Sequence, residues 1–146
     1  MLKKSLIILF LLLTSTSAES LKDIKFEDIV VKEVTSIYDG DTFRANLQGY
    51  PKIVGYRMSI RVLGIDTPEM KGKCKREKEL ARAAKRFTVS FLRGAKSIEL
   101  RNVKRGKYFR ILADVYGDNT SLADELIKSG FAVKYNGGTK IDWCTY

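Results

Sequence analysis

A mainly β, α+β fold is predicted by three features of the sequence. Two runs, Ile29 to Ile37 and Thr42 to Leu47, are rich in Val and Ile or alternate apolar with polar residues, and they flank the turn residues Asp39 and Gly40; this is the pattern of a hairpin or of closely paired strands. Leu80, Ala84, Phe87 and Phe91 then fall at helical spacing. Alternation returns in two further β-like runs, with no internal repeat and no low-complexity segment.

Each element has a local reason. A third run, Tyr56 to Ile65, stops at Asp66, Thr67 and Pro68, because proline cannot donate to a strand ladder. Three strands in succession point to an antiparallel sheet. The amphipathic helix carries charged residues between its apolar positions, which gives it a basic outer face, and Gly94 is available as its stop. Strands at Ser97 to Val103 and Arg110 to Tyr116 are separated by the turn-prone, basic Lys104, Arg105, Gly106 and Lys107. A short helix follows, capped by Thr120 or Ser121, turning Leu122, Leu126 and Ile127 inward and stopped by Gly130. The tail through Asn136, Gly137 and Gly138 reads as loop. Three strands, a helix, two strands and a last helix match the five-stranded Greek-key barrel of the OB-fold with two or three helices, an architecture that often binds nucleic acid. The fold alone sets no activity.

The 146 residues suffice for one domain with a single core. The chain has 27 Lys and Arg against 17 Asp and Glu, a formal charge of +10, which favours a polyanion such as nucleic acid or an anionic membrane surface. Histidine is absent. That excludes His-dependent triads, His-metal hydrolases and histidine acid–base nucleases. Catalysis must run on carboxylates, Arg, Lys, Tyr or a metal.

Lys3 and Lys4 precede the apolar run Leu6 to Leu13, followed by Thr14, Ser15, Thr16, Ser17 and Ala18. This is the layout of a secretory signal over residues 1–18, leaving a domain of residues 19–146 that is periplasmic or secreted. The run is shorter than the ~20 residues that span a bilayer, so stable membrane insertion is not expected after cleavage. Of the 27 basic residues, 25 remain without Lys3 and Lys4 against 17 acidic ones, a side-chain charge of +8. Export makes Cys74 and Cys144, the two cysteines of the chain, a candidate disulfide, the alternative being two separate thiols.

The chemistry concentrates in two clusters. Asp39, Gly40, Asp41 and Thr42 follow the first strand; Arg61 lies in the third, and Asp66, Thr67, Pro68 and Glu69 follow it. Taken singly, Asp and Gly in a hairpin are turn chemistry, Asp39 has either a turn role or an outer role at a metal, and a strand arginine such as Arg61 is usually a surface ion-pair partner. Together they place three or four carboxylates at strand ends. A hard divalent cation with oxygen ligands relieves their mutual repulsion.

The DGDT motif, Arg61 with DTPE downstream, and Lys107, Tyr108, Phe109 and Arg110 resemble, in order and spacing, the three signature segments of the staphylococcal nuclease (thermonuclease) family over roughly Ile29 to Ala132. The resemblance implies a calcium-dependent nuclease acting on DNA and RNA and leaving 3′-phosphate ends, as a monomer. It implies Ca2+ held by Asp41, Asp66 and the backbone carbonyl of Thr67, with Glu69 holding or deprotonating the attacking water. Arg61 and Arg110 would grip the phosphate, and Lys107 and Tyr108 a neighbouring phosphate. Read from its own surroundings, Tyr108 is equally an ordinary half-buried strand residue.

Two departures stand out. Phe109 occupies a position that is glycine in the staphylococcal enzyme, where a bulky side chain redirects the loop or offers a stacking surface. The tail lacks that enzyme's long terminal helix and, through Trp143 and Cys144, resembles shorter bacterial relatives in which the cysteine ties the tail to the helix start at Cys74, substituting for the missing packing. The competing classes are a noncatalytic OB-fold module that binds single strands and an envelope structural or adhesion domain. The first predicts lost carboxylates or arginines, and all are present; the second leaves the constellation without a reason.

Overall fold

The computed structural model describes residues 26–146, so the signal segment expected at residues 1–18 lies outside the described residues. The chain runs β1 (Ile29–Ile37), β2 (Thr42–Leu47), α1 (Lys52–Gly55), β3 (Met58–Val62), β4 (Ile65–Asp66), α2 (Lys75–Gly94), β5 (Ile98–Arg105), a short 3-10 turn (Lys107–Phe109), β6 (Ile111–Gly117), β7 (Thr120–Ser121), α3 (Leu122–Lys128) and β8 (Val133–Lys134).

Strands β1, β2 and β3 form an antiparallel meander, β5 pairs with β1 and β6, and a parallel pairing of β3 with β6 closes the circle. This is the closed five-stranded barrel expected of an OB-fold. Alternation along each strand fills its interior: Phe43 and Ala45 of β2, Ile60 and Val62 of β3, Leu100 of β5, and Ala113 and Val115 of β6 are all buried. Leu122 and Leu126 of α3 join the same core.

The helices form for the reasons their ends show. Cys74 caps α2, its sulfur accepting the N–H of Glu77 at 3.4 Å. Ser121, of the two candidates, caps α3 by accepting the N–H of Asp124 at 3.2 Å. Gly130 ends that helix in the left-handed region (φ 72), with Phe131 N–H donating to Leu126 O.

The third run differs from the continuous strand Tyr56 to Ile65 that its composition predicts. Gly64, at φ 74, breaks it into β3 and the two-residue β4. Strand β4 leaves the barrel and pairs with β8 of the tail, Ile65 opposite Lys134 and Asp66 opposite Val133. Among the described residues no helix is long and apolar enough to cross a membrane.

Candidate active site

Asp39, Gly40 and Asp41 form the tight connection between β1 and β2. Asp39 Oδ1 accepts the N–H of Asp41 at 3.1 Å, the turn role open to it. The loop is pinned onto α2, where Thr88 donates its hydroxyl to Gly40 O at 2.7 Å. A Cβ on Gly40 would stand 2.9 Å from Ala84 Cβ and 3.0 Å from Thr67 Cγ2. Glycine lets this loop approach the helix, and small residues of α2 receive it.

Register brings the remaining groups together. Thr42 pairs with Arg61 across β2 and β3, which sets Arg61 Nη1 2.7 Å from Asp41 Oδ1 and Nη2 3.6 Å from Asp66 Oδ1. Across the closing seam Arg61 pairs with Leu112. Arg110 precedes Leu112 by two residues and so belongs to the same outward face. Its Nε is buried without a hydrogen-bond partner.

The carboxylates are unusually dry. Asp41 and Asp66 are each 1% exposed, and Asp39 is 5%. Burial, then the neighbouring Asp41 charge, push Asp39 up to about 7. Burial also raises Asp41, outweighing the Arg61 guanidinium and the Thr42 and Thr67 hydroxyls that pull it down. Glu69 lies exposed at the rim.

The tail supplies what sequence reasoning missed. Lys140 Nζ lies 2.8 Å from Asp66 Oδ1 and 2.7 Å from Glu69 Oε1. Burial disfavours its charge, yet pairing with these two carboxylates outweighs that and raises its pKa. Trp143, 3% exposed, donates Nε1–H to Asp66 Oδ2 at 3.2 Å. Behind Glu69, the buried carboxylate of Glu77 accepts the N–H of Lys73 at 2.8 Å and that of Glu69 at 3.3 Å. Only Glu77 had a local signal: it stands three residues after the residue that caps α2, where a capping-box glutamate belongs.

Cys74 and Cys144 are joined in a disulfide, Cα atoms 6.0 Å apart. Their sulfurs and a Glu77 oxygen lie within 4.8 Å of one another, but sulfurs bonded to each other offer no thiolate to an ion.

Lys107 and Tyr108 are exposed on the turn before β6, Tyr108 at 94%. This places Tyr108 outside the strand and away from the half-buried alternative. Tyr108 (φ 56) and Phe109 (φ 59) are both left-handed, a conformation glycine adopts freely and aromatic residues rarely do. Phe109 therefore keeps the backbone shape open to glycine. Its ring stacks under Arg105 at 4.6 Å and borders an apolar groove of about 230 Å³ that also takes in Tyr50, Val54 and Met58.

The donor set fits a hard divalent cation. Arg61 and Lys140 are the cations in ion-pair contact with Asp41, Asp66 and Glu69. With Arg110 on the same face as a third cation, the four carboxylates including Asp39 still leave one negative charge uncompensated when all are ionised. Lys140 approaches Asp66 Oδ1 off the hydrogen-bonding direction, and that buried oxygen has no hydrogen bond. Oxygen ligands with uncompensated charge suit calcium or magnesium over softer metals.

A five-stranded barrel bearing clustered buried carboxylates and two arginines on one face belongs to the class of phosphodiester-cleaving OB-fold proteins. A family model described as "Staphylococcal nuclease homologue" matches residues 59–142, more than half of the chain. The chain belongs to that family, whose domain is of nuclease type. The match spans Arg61, Asp66, Glu69 and Arg110, and the β2–β3 register adds Asp41 to them.

Proposed function

We propose that the protein is an exported, calcium-dependent endonuclease that hydrolyses DNA and RNA to products with 3′-phosphate ends. Asp41, Asp66 and the carbonyl of Thr67 would hold the ion, which when bound sets positive charge against the phosphate oxygens. Glu69, at the solvent-facing rim, holds the attacking water and is the group placed to take its proton. The water oxygen adds to phosphorus as the bond to the 5′ oxygen breaks, and the departing oxygen takes up a proton from solvent. Arg61 and Arg110 hold the charge that builds on the non-bridging oxygens, with the planar two-point geometry lysine lacks. Lys107 and Tyr108, exposed beside Arg110, meet a neighbouring phosphate, and Phe109 offers a stacking face to an unpaired base.

The observation that carries the reading is the burial of Asp41 and Asp66 at 1% exposure beside the Arg61 guanidinium and the half-exposed Lys140 ammonium, with Asp66 Oδ1 lacking any hydrogen bond. Such burial is unfavourable unless a cation and a substrate complete the site. The disulfide agrees with an oxidising compartment. The test is incubation of the purified protein, as a monomer, with single-stranded DNA, double-stranded DNA and RNA in calcium and in chelator. Cleavage supported by calcium and abolished by chelator is expected. Binding without cleavage would instead make the protein a single-strand-binding module.

A further inference from the structure

The tail crosses the carboxylate cluster between two fixed points. Upstream, β8 pairs with β4, and Tyr135 N–H donates to Gly64 O at 2.8 Å. Downstream, Trp143 is buried on Asp66, Cys144 is bonded to Cys74 at the start of α2, and Arg76 Nη2 donates to Tyr146 O at 2.5 Å. Between them lies a bridge with no regular structure, with left-handed Gly137 and Gly138 at its start. Lys140 is the cation this bridge delivers to Asp66 and Glu69.

We propose that Lys140 is a tethered counter-cation of the metal site: it neutralises Asp66 and Glu69 while the divalent ion is absent, is displaced by that ion, and is held in competition with it by the Cys74–Cys144 disulfide. The inference rests on the metal-dependent reading above.

The argument is electrostatic and geometric. An ammonium in contact with Asp66 Oδ1 stands at an oxygen that the ion requires, and two cations on one carboxylate oxygen repel strongly in a site this dry. Glu69 cannot hold a water through the oxygen that Lys140 occupies. Lys140 is 41% exposed, so open solvent is there to receive the displaced ammonium. Its local concentration depends on both ends of the bridge being fixed, and releasing one end dilutes it as a longer linker would. Trp143 plays the opposite part: its N–H binds Asp66 Oδ2, leaves Oδ1 free for the ion, and fixes the carboxylate plane.

Trp143 is the single tryptophan of the chain and touches a proposed ligand, so it should sensitise luminescence of terbium, a calcium surrogate. Terbium titration and calcium calorimetry on the oxidised protein, Lys140→Met, Lys140→Arg and Asp66→Asn test the proposal. Lys140→Met should bind both ions at least about tenfold more tightly, Lys140→Arg should stay close to the parent, and Asp66→Asn should lose the signal. Reduction of the disulfide in the otherwise unaltered protein should shift calcium affinity in the same direction as Lys140→Met. Unchanged or weaker binding by Lys140→Met, with folding confirmed by circular dichroism, would overturn the competition. An unchanged affinity on reduction would overturn the tether. No saturable binding by the parent or by Lys140→Met would overturn the metal-dependent reading itself, and the inference with it.

Discussion

Glu77 Oε1 accepts the backbone N–H of Glu69 at 3.3 Å, so a buried carboxylate at the start of a helix aims an exposed one at the rim. The same side chain accepts from Lys73, and so ties the loop before α2 to the helix that Cys74 caps. Glu77→Ala leaves those amides without an acceptor, which costs about 1–3 kcal/mol for a buried donor. The expected outcome is a lower melting temperature together with about tenfold slower turnover, because Glu69 loses its aim. Steady-state kinetics and a thermal melt on the same sample check it; a melt shift with unchanged turnover would confine Glu77 to stability.

Arg110 carries the second prediction. Its Nε is buried and unpartnered, a donor waiting for an acceptor, and lysine cannot present two parallel N–H groups to a phosphate. Arg110→Lys should fold normally yet lose most turnover, on the order of a hundredfold. Near-normal rate in that variant would contradict its role.

The buried carboxylates make stability depend on pH when no divalent ion is present. Asp39 keeps its proton up to about pH 7 in the fold but only to its ordinary value of 3.8 when unfolded. The folded state therefore binds more protons between those values, and stability falls as pH rises through that window, levelling above it. Asp41 is shifted in the same direction. Asp118, held below its ordinary range by the N–H groups of Lys96 and Ser97, loses stability only as pH falls under about 4, outside the window. Thermal melts in chelator should peak on the acid side of neutrality, and calcium should raise the melting temperature more at pH 8 than at pH 5. Equal calcium effects at both values would refute the assignment.

Reduction of the disulfide should be strongly destabilising. The bond spans 70 residues, for which chain entropy gives about 4 kcal/mol. A fall in melting temperature of roughly 10 °C or more is expected for a domain of this size. A melt insensitive to reductant would show that β8, Trp143 and Tyr146 hold the tail unaided.

The barrel was legible because it is built on local alternation. The expected runs from Ile29, Thr42, Ser97 and Arg110 agree with β1, β2, β5 and β6 to within two residues at each end. The DGDT and DTPE clusters were legible as chemistry for a similar reason, each being a short segment with an unusual density of carboxylates. Lys140 and Trp143 were not. They reach Asp66 from 74 and 77 positions downstream, and a lysine or tryptophan in an irregular tail carries no period that could announce a partner. The break at Gly64 was hidden as well, since Leu63 and Ile65 continue the apolar pattern and a lone glycine inside a strand usually signals only a bulge.

The parallel pairing of β3 with β6 has a consequence for when activity begins. Arg61 lies on one side of that seam and Arg110 on the other, joined by the hydrogen bonds that turn an open sheet into a tube. A chain still unfolded, or folded only as far as its first meander, has its two arginines on unconnected segments and no assembled centre. On the roles proposed for Arg61 and Arg110, catalytic competence arrives with completion of the barrel, and a producing cell would be spared a nuclease for as long as the polypeptide is kept from closing.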